Sequence, residues 1–221
     1  VPAAALPTTT PQPRRASAVS SRTEVAILRA TIATIATHGL SGTTIQLVAN
    51  AARVATGTVI LRFHNKDALL AATMESVALE FEQARRAAIE GANGDARAAL
   101  NALIEVSFDP AVSDPARVAV WYAFWGEARA RLVYLERIGA MDRTYQQDLE
   151  RLCGELISSG NHQHLNAEAV AMGFAGILEW QWQDILVSGH DFDRAHARSV
   201  SRAYLANLFP EQFANCLEQR P

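Results

Sequence analysis

Four apolar side chains, Val25, Leu28, Ile32 and Ile35, follow one another at spacings of three, four and three. That period places them on one face of an α-helix. His38-Gly39 supplies the glycine that closes such a helix. Ser41-Gly42-Thr43-Thr44 follows, a turn ending in hydroxyl residues suited to an N-cap. Ile45, Val48, Ala49 and Ala52 form the stripe of a short second helix, which breaks at Arg53-Val54-Ala55. A third short helix is expected over Thr56–Phe63. Asn65 is placed to cap a fourth, with Leu70, Met74, Val77 and Phe81 on one face. Two short helices across a tight turn, braced on either side, restrict the N-terminal third to a helix-turn-helix.

Downstream, Gly91, Gly94 and the Asp109-Pro110 and Asp114-Pro115 pairs mark breaks. Helices are expected at about 95–107, 115–138, 141–159, 166–188 and 193–208. No stretch alternates apolar and polar residues long enough for a strand. The fold expected is all-α, about nine helices, with a small N-terminal helix-turn-helix unit on a larger C-terminal helical bundle. The domain limits expected are a flexible tail at 1–20, the DNA-binding unit at 21–66, the bundle at 67–213 and a C-terminal tail at 214–221.

Composition narrows the class. The chain has 221 residues, is 49% hydrophobic and only 19% charged, so it is not a disordered polyelectrolyte. Two cysteines, Cys153 and Cys216, do not make a disulfide scaffold and are read as reduced thiols. No run of eighteen apolar residues is present, so no membrane partner is expected. No signal peptide is visible, and a cytoplasmic location is the default. Residues 1–70 carry a net charge of +5 within a total of -3, so the remainder holds -8. A basic N-terminal third on an acidic body suits a polyanion.

In a helix-turn-helix the second helix enters the major groove and the first lies across the backbone. Small residues at the start of the entering helix permit close approach, and Thr56, Gly57 and Thr58 fit. Thr44 and Gln46 at one rim, and His64 and Lys66 at the other, fit as phosphate donors. Arg62 has the length to reach a phosphate or a guanine edge.

The stretch Thr43–Met74, TTIQLVANAARVATGTVILRFHNKDALLAATM, resembles the DNA-binding domain of TetR-family transcriptional regulators. The paired threonines, Gly57-Thr58, Phe63 and Lys66-Asp67-Ala68-Leu69-Leu70 carry the likeness. The segments 121–149, 169–185 and 204–213 resemble the BetI subgroup, whose members repress choline-to-glycine-betaine genes. The resemblance implies a dimeric repressor, a palindromic double-stranded DNA operator and a small-molecule ligand, choline or a related quaternary ammonium compound. Arg53 stands where the family often has glycine and could add a phosphate contact. Ile60 replaces a frequent phosphate-binding tyrosine, Leu61 a polar residue and Ala55 a serine cap, leaving Thr56 to take the capping role.

Aromatic residues concentrate in the body. Trp121, Tyr122, Phe124 and Trp125 share one expected helix, with Glu127 and Tyr134 nearby; Phe174, Trp180 and Trp182 share another. Such stripes are commonly core. Read functionally, Trp121, Tyr122, Phe124, Trp125, Glu127, Phe174 and Trp180 are the candidate ligand-binding residues, because a tryptophan-rich wall with a carboxylate suits a cation. The small residues Gly173 and Gly176, with Ile177, Ile185, Tyr204 and Leu208, are the candidate dimer interface. Catalytic signatures are missing: there is no glycine-rich phosphate loop, serine elbow or paired-histidine zinc motif. His162 and His164 read as a solvated loop rather than a metal site, and neither an enzymatic activity nor a cofactor is expected. The second reading kept open is a helical small-molecule-binding or interaction protein whose DNA binding is weakened or lost.

Overall fold

The computed structural model describes residues 13–127, 132, 135, 136 and 138–213. Cys216 and Tyr134 lie outside the described residues. Nine α-helices and no strand occur among them: α1 Pro13–Gly42, α2 Ile45–Ala52, α3 Thr56–Phe63, α4 Lys66–Gly91, α5 Ala96–Ser107, α6 Pro115–Gly126, α7 Gly139–Ser159, α8 Ala167–Ser188 and α9 Arg194–Leu208. A single 3₁₀ turn, Gly189–Asp191, separates the last two.

The start signals act where the sequence puts them. The Thr44 side chain accepts from the Leu47 amide at 3.2 Å and the Asn65 side chain from the Ala68 amide at 2.8 Å, each satisfying a donor that the first helical turn leaves free. Gly39 has φ +67° and ψ 177° inside the span of α1, a kink that a residue with a Cβ would resist. Two expected boundaries move. Helix α1 already begins at Pro13, within the stretch assigned to the tail. The expected helix at 115–138 ends at Gly126, where Glu127 turns extended with φ -100° and ψ 121°; glycine is a poor helix former, and this is where the ladder stops.

Three apolar clusters organise the molecule. Ile27, Val48, Val59, Phe63 and Leu69 form a small core that binds α1 through α4 into the N-terminal unit. Leu100, Leu103, Phe108, Leu149, Leu152, Phe174, Ile185, Leu205 and Phe209 belong to the larger core of the body. Between them lies a third cluster built from α1, α4 and α6, including Ile32, Ile35, Leu70, Met74, Val120 and Phe124, with Ile138. The N-terminal unit is therefore joined to the body by apolar packing as well as by the continuous helix α4. Arg194 and Arg198 secure the turn after α5, donating to the Phe108 carbonyl at 3.1 and 2.9 Å, and Arg194 also reaches Ser113.

Candidate functional site: a helix-turn-helix and an aromatic cavity

Helix α3 is too short to be stable alone; it is held by Val59 and Phe63, which face the small core. One turn around the helix, Gly57, Ile60, Leu61 and His64 face outward and are exposed. Leu61 is 79% exposed. Thr56, Thr58 and Arg62 are only half-exposed. The Thr56 hydroxyl donates to Gln46 Oε1 at 2.9 Å, and Gln46 Nε2 donates to Asn50 Oδ1 at 3.0 Å. Thr56 does not cap α3; the N-cap is Ala55, with no side-chain hydrogen bond. Arg62 turns back toward Glu24 on α1, 3.8 Å away.

The rim residues are arranged around this helix. Arg53 ends α2 in the left-handed region, with φ 56° and ψ 43°, which explains why glycine suits that position. Its side chain is exposed, as are those of Thr44, Gln46 and His64. Lys66 donates to the Ser41 carbonyl at 3.0 Å and so ties the start of α4 to the turn before α2. The expected DNA-facing set is thus assembled on one unit. Ile60 and Leu61, which sequence reasoning treated as departures, prove to be the most outward side chains of the short helix; the 3.6-residue period from Val59 and Phe63 would have located them.

In the body, α4, α6, α7 and α8 line a partly open cavity of about 260 Å³, close to the smaller small-molecule sites. Phe81, Trp121 and Trp182 form its aromatic wall. Trp121 meets Phe81 edge-on at 6.2 Å and Trp182 at 6.2 Å, and Phe81 lies 4.9 Å from Trp182, distances typical of favourable ring pairs. Trp182 Nε1 donates to the Ser107 carbonyl at 2.8 Å, which fixes that ring. Tyr122, Trp125 and Tyr145 complete the aromatic lining, and Arg85, Asp142, Gln146 and Glu179 supply polar groups. The Tyr122 hydroxyl donates to the Glu179 carbonyl at 3.2 Å. Burial, with the Glu179 charge beside it, pushes Tyr122 up to about 12; burial does the same to Tyr145. Both phenols are neutral at physiological pH.

Of the expected ligand residues, Trp121, Tyr122 and Trp125 line this cavity. Phe124 does not: it is buried in the cluster that joins the two units. Phe174 is buried in the body core. Glu127 is exposed and outside the lining, and Trp180 is 71% exposed on the outer face of α8. Arg85 was missed, because EFEQARR reads as an ordinary charged helix surface. The guanidinium lies 4.0 Å above the Tyr145 ring centroid and 4.8 Å from that of Phe81.

The expected interface residues divide as well. Ile185 is fully buried in the body core, so its surface is spent within the chain. A Cβ on Gly173 would collide with the Tyr204 hydroxyl, which itself donates to the Val170 carbonyl at 3.2 Å; this small residue allows α8 and α9 of one chain to approach. Gly176 is exposed, and Ile177 and Leu208 are half-exposed. Met172, Trp180 and Val187, at 63%, 71% and 86% exposure, project from the same face of α8. His162 is buried rather than solvated: its Nε2 lies 3.0 Å from Gln212 Oε1, and its ring meets Phe209 edge-on at 5.2 Å. Among the described residues no group of side chains has the makings of a metal site, and no helix is long and apolar enough to cross a membrane.

Comparison with known proteins agrees with both halves of this arrangement. Residues 27–73 match the family model of bacterial regulatory proteins of the tetR family, and residues 96–210 match that of the BetI-type transcriptional repressor C-terminal domain. The chain is 31% identical over 181 residues to the HTH-type transcriptional regulator BetI of Paraburkholderia xenovorans, covering 81% of this chain and 89% of the relative. Among solved structures, a transcriptional regulator from Pseudomonas aeruginosa PAO1 superposes with a TM-score of 0.71 at 24% identity, covering 89% of this chain and 94% of the other. The fatty acid degradation regulator FadR from Bacillus halodurans gives 0.70 at 22% identity, covering 90% and 98%. The chain accordingly belongs to the BetI-type transcriptional repressors of the TetR family.

Proposed function

We propose that the protein binds a palindromic duplex operator as a homodimer, with α3 in the major groove, and that a small molecule in the aromatic cavity releases it. The observation that carries the reading is the double duty of α6. Val120 and Phe124 on this helix are buried against the N-terminal unit, while Trp121, Tyr122 and Trp125 line the cavity. Helix α4 runs between the same two places: Leu70 and Met74 sit in the joining cluster, and Phe81 and Arg85 border the cavity. A ligand that pulls on the aromatic wall therefore acts on the packing beneath the reading helix. The effect requires that ligand favour the released arrangement over the bound one.

The dimer contact is the outer face of α8. Met172, Gly176, Trp180 and Val187 recur at helical spacing, with Gln183 among them and Glu179 at the edge, and leave large apolar side chains exposed on one face, a surface suited to a partner. A two-fold pairing of this stripe would set two copies of α3 on one side of the assembly, as two operator half-sites demand.

Gel-shift titration against the duplex upstream of the gene, at several salt concentrations, tests the reading. Binding that weakens steeply with salt is expected, because phosphate contacts release counterions. The apolar outward face of α3 favours the competing reading of a ligand-binding protein without an operator. Binding that is absent, or indifferent to sequence, would establish that reading instead.

A further inference from the structure

Helix α1 extends well beyond the two clusters that it helps to build. Ile27 lies in the small core of the N-terminal unit, and Ile32, Ile35 and Leu40 lie in the cluster that joins this unit to the body. The axis of α1 therefore runs from the reading unit toward the body, and the residues before Ile27 project the other way. Glu24, about one turn before Ile27, stands 3.8 Å from Arg62 on α3. Helix α1 nevertheless begins at Pro13, so residues 13–23 continue past Arg62 for about 16 Å at 1.5 Å per residue. A helix already nucleated needs only propagation to grow, and proline at the first position is suited to start it.

The extension is basic. Residues 13–23 carry Arg14, Arg15 and Arg22 and no aspartate or glutamate. The first acid in the sequence, Glu24, is the partner of Arg62. Arg22 is exposed, as is Arg29 seven residues on. Arg15 occupies the same register seven residues earlier, because two turns of helix return to nearly one face. Three cations on a rod that points away from the acidic body, beside the helix proposed to enter the groove, match the phosphates of duplex DNA outside the half-site. A reach of about 16 Å corresponds to about five base pairs at 3.4 Å each. We infer that the first three turns of α1 form a second DNA-binding element, an arginine arm that grips the phosphates flanking each half-site and adds affinity without reading sequence. The inference rests on the proposed operator binding and extends its footprint.

Gel shift and hydroxyl-radical footprinting of the full chain test it with two duplexes. One is the upstream duplex trimmed to the two half-sites that its footprint reveals; the other keeps about ten further base pairs, one helical turn, at each end. The longer duplex is expected to bind at least about tenfold more tightly at low salt, and protection should reach about five base pairs past each half-site. Arg14→Ala, Arg15→Ala and Arg22→Ala combined should abolish that preference and draw the protection back to the half-sites. The slope of log affinity against log salt should shrink by about one for each arginine removed from each protomer. The ratio of affinities for operator and scrambled duplex should stay the same, because phosphate contacts carry no sequence information. Alanine preserves helix propensity. Arg14→Lys, Arg15→Lys and Arg22→Lys combined keep the charge and should keep the preference, which separates lost contact from lost fold. Arg29→Ala removes an exposed arginine two turns closer to the body and should alter none of these. Equal affinity for the two duplexes overturns the inference. So does a preference that survives the triple alanine variant, one that is lost in the lysine variant, or the same loss in Arg29→Ala. If neither duplex is bound, the operator reading falls and the arm with it; if both are bound alike, the arm alone falls.

Discussion

The hydroxyl of Thr56 is bonded to the side-chain oxygen of Gln46 at 2.9 Å, across the turn of the helix-turn-helix. The first residue of α3 is thereby fixed to the first turn of α2, and the N-cap position before it, Ala55, offers no side-chain hydrogen bond. A serine at that position would supply the missing acceptor. Ala55→Ser is expected to stabilise the protein by about 1 kcal/mol, raising the melting temperature by about 2–4 °C for a chain of this size. Calorimetric melting checks this, and no gain would show that the N-terminal amides of α3 are already satisfied.

Arg53 holds a backbone conformation that glycine adopts more easily. Left-handed geometry costs a side-chain-bearing residue about 1–2 kcal/mol, and glycine gives back about 0.5–1 kcal/mol in chain entropy. Arg53→Gly is therefore expected to stabilise by about 1 kcal/mol or less. It also removes an exposed cation from the proposed DNA-facing rim. The slope of log affinity against log salt should shrink by about one. An unchanged slope would place Arg53 away from phosphate.

Leu61 projects from α3 with no core partner. In a major groove its natural contact is the thymine methyl group. Leu61→Ala should leave the melting temperature unaltered and weaken operator binding about fivefold, the worth of one or two buried methylenes. Replacing operator thymines with uracil should weaken the unaltered protein similarly and the variant not at all. Equal losses in both proteins would remove Leu61 from the readout.

Trp180 and Val187 carry the exposed stripe of α8. Trp180→Asp places a charge in the proposed contact, where burial without a partner is costly. Light scattering should show a monomer with an intact helical spectrum, and operator affinity should fall by at least about a hundredfold as paired binding is lost. A variant that stays dimeric would move the interface elsewhere.

Cys153 is buried, and burial raises its thiol to about 12; Tyr122 and Tyr145 are raised to about 12 as well. In each case the folded value lies above the unfolded one, so the stabilisation is complete below the unfolded value and is lost as pH climbs toward the folded one. Stability should be insensitive to these groups at neutral pH and decline from about pH 9 upward. Denaturant midpoints across pH 7 to 11 report it. Cys153→Ala should soften the alkaline decline, and the native thiol should resist alkylation at pH 8.

What could be read from the amino acids alone followed from local signals. Thr44, Asn65 and Gly39 do their work within a turn of themselves, and the spacing around Val59 and Phe63 defines α3 without help from elsewhere. Facing on α6 and α8 was not legible in the same way. PARVAVWYAFWG and AVAMGFAGILEWQWQDI are apolar on nearly every side, so no polar stripe marks which aromatic looks into the cavity. That is why Trp121 and Phe124, three residues apart, part company, and why Trp180 was grouped with its inward neighbours. Arg85 was concealed for the opposite reason. Charge on a helix ordinarily means solvent, and only the approach of Tyr145 on α7 encloses it.

Helix α4 is unbroken for 26 residues, a rod of about 39 Å at 1.5 Å per residue. In the proposed release it would act as a lever between Arg85 at the cavity and Leu69 in the N-terminal unit. A tilt of about 5° about Arg85 would carry Leu69, about 24 Å along the helix, through about 2 Å, more than half the rise between stacked bases. Motion too slight to open the core could thus put a reading helix out of step with its half-site.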